Sequence, residues 1–130
     1  MKLLLDTHIW VWSVMDASRL SRSVLAHLRN PRSELWLSPI SIWELLNLCS
    51  KGRIELNQEP AAWIRSVLAA TPFLEAPLTH EIALESHLTG LVQKDPADRL
   101  LAATAKVLDL TLVTADENLV GNVRWKHLQN

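Results

Sequence analysis

The sequence predicts an α/β domain: a mainly parallel central sheet of four to five strands flanked by helices. Two patterns carry that reading. Short apolar runs alternate with stretches of helical periodicity, and the linkers between them are short throughout. Length agrees, because 130 residues suffice for one hydrophobic core that buries roughly two-thirds of the unfolded surface, and two independent domains are not expected. Cys49 is the only cysteine, so the core needs no disulfide, and its thiol reads as a plain buried group within a helix.

The elements follow in order. Lys2 to Leu5 is an apolar first strand stopped by Asp6, and an apolar helix runs from about His8 to Met15 before Asp16 breaks it. Ser21 caps a second helix with Val24, Leu25 and Leu28 on one face; Asn30-Pro31 closes it, since the residue before proline is pushed out of the helical region. Leu35 to Leu37 is the second strand, and Ser38-Pro39-Ile40-Ser41 turns the chain into a helix that reaches about Lys51 and stops at Gly52. Pro60 opens the next helix, with Ile64, Val67 and Leu68 inward, and Thr71-Pro72 ends it before a short third strand, Phe73 to Glu75. Thr79 caps a helix closed by Gly90. Asp95-Pro96 then starts a helix whose core face carries Leu100, Leu101, Thr104, Val107 and Leu108. Thr111 to Thr114 is the fourth strand, ended by Asp116. A turn at Gly121-Asn122 leads to a fifth, edge strand in which Val123 and Trp125 alternate with Arg124 and Lys126.

Charge narrows the function. The 13 Lys and Arg residues nearly cancel the 14 Asp and Glu, and a net charge of −1 offers no global attraction for nucleic acid. Uncharged runs such as Leu35 to Trp43 fall well short of the ~18 apolar residues of a membrane span, and the start of the chain does not read as a signal peptide.

The placement of the acids is more informative. In open parallel sheets ligands bind at the carboxyl ends of the strands. Asp6 and Asp116 sit at two such ends, Glu44 falls in the first turn of the helix after the second strand, and Asp95 and Asp98 open the helix that feeds the fourth. All five can line one edge of the sheet. Two carboxylates 6 Å apart repel by roughly 3 kcal/mol at an effective dielectric of ~20, so a cluster of four needs protons or cations. Oxygen donors without His or Cys point to Mg²⁺ or Mn²⁺. Plain capping competes with this reading. Ser41 to Glu44 has the form of a capping box, and Asp95-Pro96-Ala97-Asp98 that of an N-cap followed by an acid favoured by the helix dipole. Capping explains Asp6 and Asp116 less well, because Asp is depleted in strands.

These residues fall into a recognisable pattern: Leu3-Leu4-Leu5-Asp6-Thr7-His8, then Ser38 through Glu44, then Lys94-Asp95-Pro96-Ala97-Asp98-Arg99-Leu100-Leu101-Ala102-Ala103, then Leu112-Val113-Thr114-Ala115-Asp116. In this order and spacing they resemble the PIN-domain ribonucleases of the VapC type, toxins of bacterial toxin–antitoxin pairs, over essentially the whole chain. The resemblance implies a single PIN-like nuclease domain across residues 1–130, in the cytoplasm, cleaving RNA with Mg²⁺ or Mn²⁺. It carries Asp6, Glu44, Asp98 and Asp116 over as the catalytic acids. Asp6, Asp98 and Asp116 are then the metal ligands; Glu44 either ligates a second ion or orients the attacking water, and Asp95 is a neighbouring acid. Thr114 is a hydroxyl neighbour of the site, and Arg99 and His8 are candidate substrate contacts. The implied partners are RNA, a VapB-type antitoxin that places a basic side chain in the acidic pocket, and a second copy of the chain. Three positions depart from the subgroup: Gln93 where His is common, Ala97 in place of a bulky Phe, and Leu48 where a basic residue is common. They bear on substrate positioning and leave the carboxylates intact.

The remaining features are open between function and plain structure. Arg19, Arg22, Arg29 and Arg32 lie in an acid-free segment that is either a phosphate-tracking surface or a solvated helix face. Arg99 either contacts phosphate or pairs with a neighbouring acid. The tryptophans at 10, 12, 36, 43, 63 and 125 read as core or interface residues in preference to base-stacking platforms. Two other functions compete. An aspartyl-phosphate phosphotransfer domain would use Asp6, but the dehalogenase pattern wants a second Asp where this chain has His8. A non-catalytic protein-binding module would leave the four acids dispersed, beyond about 10 Å from any common point that a hydrated ion can occupy.

Overall fold

The computed structural model describes residues 1–91, 95–120 and 124–130. Five strands form one sheet in the order β3-β2-β1-β4-β5: β1 is Lys2–Leu5, β2 Glu34–Leu37, β3 Leu74–Glu75, β4 Thr111–Thr114 and β5 Lys126–Gln129. Every neighbouring pair is parallel, with Leu3 opposite Thr111 and Leu5 opposite Val113 across β1 and β4. The helices are α1 Thr7–Met15, α2 Arg22–Arg29, α3 Pro39–Ser50, α4 Pro60–Ala70, α5 His80–Glu85 and α6 Pro96–Val107. None of the described helices is long and apolar enough to cross a membrane.

The alternation of β1 splits the core into two layers. Leu3 and Leu5 point into one, packed with Trp10, Val24, Leu45 and Trp63, while Leu4 points into the other with Leu101, Ala102, Leu112 and Trp125. Full burial on both faces explains why this strand is a plain leucine run, each leucine contributing roughly 2 kcal/mol on leaving water. Because the chain builds β2 and β3 on one side of β1 and β4 and β5 on the other, connections leave the sheet in opposite directions between β1 and β4, where a crevice opens at their carboxyl ends.

Several boundaries differ from expectation. Ser38, not Ser41, caps α3, its hydroxyl accepting the Ile40 N–H at 3.1 Å. Proline at the first helical position fixes that start, so Ser41 is buried inside the helix and Glu44 lies one turn further in, outside any capping box. Leu68 faces outward on α4, where Trp63, Ile64 and Val67 form the buried face. Helix α5 ends at Glu85, well before Gly90. On α6, Leu101 and the alanines at 97, 102, 103 and 105 make the buried face with Thr104, whereas Leu100, Val107 and Leu108 are only partly covered. The last strand spans Lys126–Gln129; Trp125 precedes it and anchors in the core, its indole N–H donating to the Leu119 carbonyl at 3.0 Å. The expected turn at Gly121-Asn122 and the strand position of Val123 lie outside the described residues, as does Gln93. Cys49 is partly buried in α3, and desolvation raises its thiol pKa. Of the tryptophans, residues 10, 63 and 125 are buried, 12 and 36 partly so, and Trp43 is exposed.

Candidate active site

Each acid reaches the crevice by a different local device. Asp6 ends β1 and caps α1: its Oδ1 accepts the Thr7 N–H at 2.7 Å, and its own N–H donates to the Val113 carbonyl at 3.0 Å, tying it to β4. Its Oδ2 accepts the Thr114 hydroxyl at 2.7 Å, and the same hydroxyl accepts the Asp116 N–H at 3.0 Å. One buried threonine thus joins the two strand-end acids. Asp116 also caps the 3₁₀ turn Glu117–Leu119, Oδ1 accepting the Asn118 N–H at 2.9 Å. Glu44 projects from the second turn of α3 and Asp98 from the first turn of α6.

Together Asp6, Glu44, Asp98 and Asp116 line one cavity of about 430 Å³ with His8, Trp12 and Ala115. The acids are not dispersed, as a non-catalytic module would have left them. Burial is the first cause that raises the Asp6 pKa; the Thr114 and Thr7 hydrogen bonds and the His8 charge pull it down, and Asp116 pushes it up. Glu44 is raised by burial and by Asp6 and Asp95, against the nearby Thr7 hydroxyl and His8. Asp98 is pushed from 3.8 to about 7, by desolvation first and then by Asp6, Glu44, Asp116 and Asp95. Every other acid of the group therefore acts on Asp98, which places their charges close together.

Other expected site residues are placed differently. Asp95 is exposed and outside the cavity lining, and its Oδ1 caps α6 by accepting the Ala97 N–H at 2.9 Å; it acts on Glu44 and Asp98 through its charge. Arg99 follows Asp98 on α6 and has no ion pair among the described residues, so of its two readings the pairing with an acid is not seen. His8 is exposed on the first turn of α1, lines the cavity, and tilts against Trp12 with ring centroids 5.7 Å apart. Thr7, which sequence reasoning passed over, has a buried hydroxyl beside Glu44; its position after a strand-ending Asp was the available signal.

Whether a cation fits can be judged from the donors. They are carboxylate oxygens with no sulfur, the chemistry of a hard ion. Among the described residues no three His, Cys, Asp or Glu side chains are gathered to hold an ion by themselves. A Mg²⁺-like ion that keeps several of its waters and takes one or two carboxylates directly fits such an open arrangement.

The fold and site define a class: a parallel, doubly wound α/β domain with an acidic cavity at its switch point. The PIN domain pattern matches residues 3–123, and the chain belongs to the PIN-domain family. Ribonuclease VapC22 of Mycobacterium tuberculosis is 32% identical over 123 residues, spanning 90% of this chain and 88% of that protein. Among solved structures, VapBC2 from Rickettsia felis bound to a DNA fragment from its promoter superposes with a TM-score of 0.75 at 18% identity, covering 100% of this chain and 99% of that one. DNA-bound VapBC from Salmonella typhimurium gives 0.71 at 17%, covering 99% and 98%, and FitAcB from Neisseria gonorrhoeae gives 0.66 at 22%, covering 98% and 96%. At such identities the structural likeness speaks to the fold alone.

Proposed function

We propose that residues 1–130 form one nuclease domain, a divalent-metal-dependent endoribonuclease of the VapC type that works in the cytoplasm and is held inactive by a VapB-type antitoxin. The observation that carries this is the meeting of Asp6, Glu44, Asp98 and Asp116, from four separate elements, in one cavity where Asp98 is pushed to about 7. The relationship to a ribonuclease and the fold shared with VapBC complexes support the same reading. A homodimer is part of the proposal.

Asp6, Asp98 and Asp116 would hold Mg²⁺ or Mn²⁺, directly or through its waters, with Glu44 as a further candidate; Asp95, outside the cavity, would add only its charge. A bound divalent ion supplies a lowered pKa for water and neutralises charge on the phosphate oxygens. The chain's residues do the rest. Thr114 holds Asp6 in one rotamer and fixes Asp116 beside it. Glu44, raised in pKa and carried into the cavity by α3, is the group to take a proton from the attacking water or to aim it. His8 at the rim, and Arg99 next to Asp98, are assigned to the RNA phosphates.

The test is cleavage of total RNA with Mg²⁺, with and without EDTA, by the wild type and by Asp6→Asn and Asp98→Asn proteins shown to be folded. Cleavage by the wild type alone, lost in EDTA, is expected. A variant that cuts at the wild-type rate in the same buffer overturns the assignment.

A further inference from the structure

A second cavity of about 390 Å³ opens beside the acidic one, and the two share His8 and Trp12 as a common wall. Its other polar walls are Asp16, Arg19 and Arg53, and Val11, Met15 and Ile54 complete the lining. We propose that this basic groove is the RNA-strand subsite next to the cleavage site, where Arg19 and Arg53 hold a phosphate of the nucleotide flanking the scissile bond, and Trp12 is a positioning residue. This rests on the ribonuclease reading above.

A phosphodiester that enters a cavity lined by four carboxylates meets like charge, and a chain of net charge −1 offers no general attraction to offset it. A bound divalent ion would offset that charge at the scissile phosphate, and the hold on the flanking nucleotide must come from cations beside the cavity. The groove provides two, and neither guanidinium has an ion-pair partner among the described residues. The single carboxylate there, Asp16, accepts the Ser18 hydroxyl at 2.5 Å.

Both arginines are placed by local structure. The Arg19 guanidinium lies over the Trp12 ring, 4.3 Å from its centroid, so the indole holds the charge at the groove wall. Arg53 follows the end of α3, where Gly52 at φ 70° donates to the Cys49 carbonyl at 3.1 Å and the Arg53 N–H donates to Leu48 at 2.9 Å. This pair of bonds is the Schellman arrangement, which only a residue tolerant of left-handed backbone allows, and it sets the direction of Arg53. Of the acid-free segment, Arg22 and Arg32 line neither cavity.

The test is anisotropy of a fluorescein-labelled, random-sequence 12-nucleotide RNA on the folded Asp98→Asn protein in Mg²⁺, across a KCl series. Adding Arg19→Ala and Arg53→Ala is expected to weaken binding about tenfold at ~0.1 M salt and to flatten the slope of log K against log salt by about 0.7 to 1.4, one to two phosphate contacts on a single strand. The charge-matched pair Arg22→Ala and Arg32→Ala is expected to change the slope by less than half of that. Trp12→Leu is expected to behave like Arg19→Ala, and Trp12→Phe to restore binding. With active enzyme, the Arg19/Arg53 double variant raises KM about tenfold and leaves kcat within about twofold. Unchanged affinity and slope overturn the groove, as does a slope that falls equally in the control pair; the first of these is also the result if a protein segment is the true occupant. The ribonuclease reading fails separately, by absence of metal-dependent cleavage in the wild type, and the salt slopes still decide the groove in that case.

Discussion

Replacing Asp98 with asparagine is expected to stabilise the metal-free protein while it stops catalysis. The folded chain holds the Asp98 proton up to about pH 7, against an ordinary value of 3.8. Between those values the folded state binds more protons than the unfolded state, so stability falls as pH rises from about 4 through 7. At 1.36 kcal/mol per pH unit the full span is worth about 4 kcal/mol. Asp98 is partly exposed, and solvent screening brings this to about 1–2 kcal/mol. Asparagine also gives up the attraction of a carboxylate for the first turn of α6, worth about 0.5 kcal/mol. A net gain of about 1 kcal/mol at pH 8 remains, or about 3–4 °C in Tm for a chain of this size. Urea denaturation followed by circular dichroism in EDTA, at pH 8 and pH 4, measures it. An asparagine variant no more stable than wild type at pH 8, or an advantage that persists undiminished at pH 4, refutes the reasoning.

Three other outcomes follow from particular contacts. Thr114→Val removes the hydroxyl that serves both Asp6 and Asp116 and leaves a buried oxygen unpaired, so urea melts are expected to show a loss of about 2–3 kcal/mol, with Thr114→Ser losing far less. Leu101→Ala, at a fully buried site on α6, is expected to cost about 2–5 kcal/mol, whereas Leu68→Ala, at a side chain 37% exposed, costs under about 1 kcal/mol in the same assay. Mn²⁺ at 100 times its Kd is expected to add about 2.7 kcal/mol in a thermal-shift titration of the wild type, and no rise is expected for Asp6→Asn.

The sheet was legible because its strands are short apolar runs closed by polar residues, and β1 in particular is buried on both faces. Asp6 and Asp116 were legible for the same reason, as carboxylates where apolar runs stop. Glu44 was obscured by a local rule: Ser41 and Glu44 have capping-box spacing, and only the commitment of Ser38 and Pro39 to the helix start shows that Glu44 points elsewhere. Asp95 was ambiguous in sequence between an N-cap and a neighbour of the site acids, and the fold uses it as the cap. Periodicity alone misassigned Leu68, because an α4 face defined by Trp63, Ile64 and Val67 leaves it outside. Arg53 carried no sequence signal at all; its place beside the cavity depends on how α3 ends after Gly52, a tertiary fact.

The central claim is that the gathered acids deliver water to an RNA phosphodiester with the help of a divalent ion. Cleavage of RNA in ¹⁸O-labelled water with Mg²⁺, with mass spectrometry of the fragment ends, tests it most directly. One ¹⁸O in the terminal phosphate of each cut, and no cutting in EDTA, is the predicted result; 2′,3′-cyclic phosphate ends, or cleavage that survives EDTA, would contradict it.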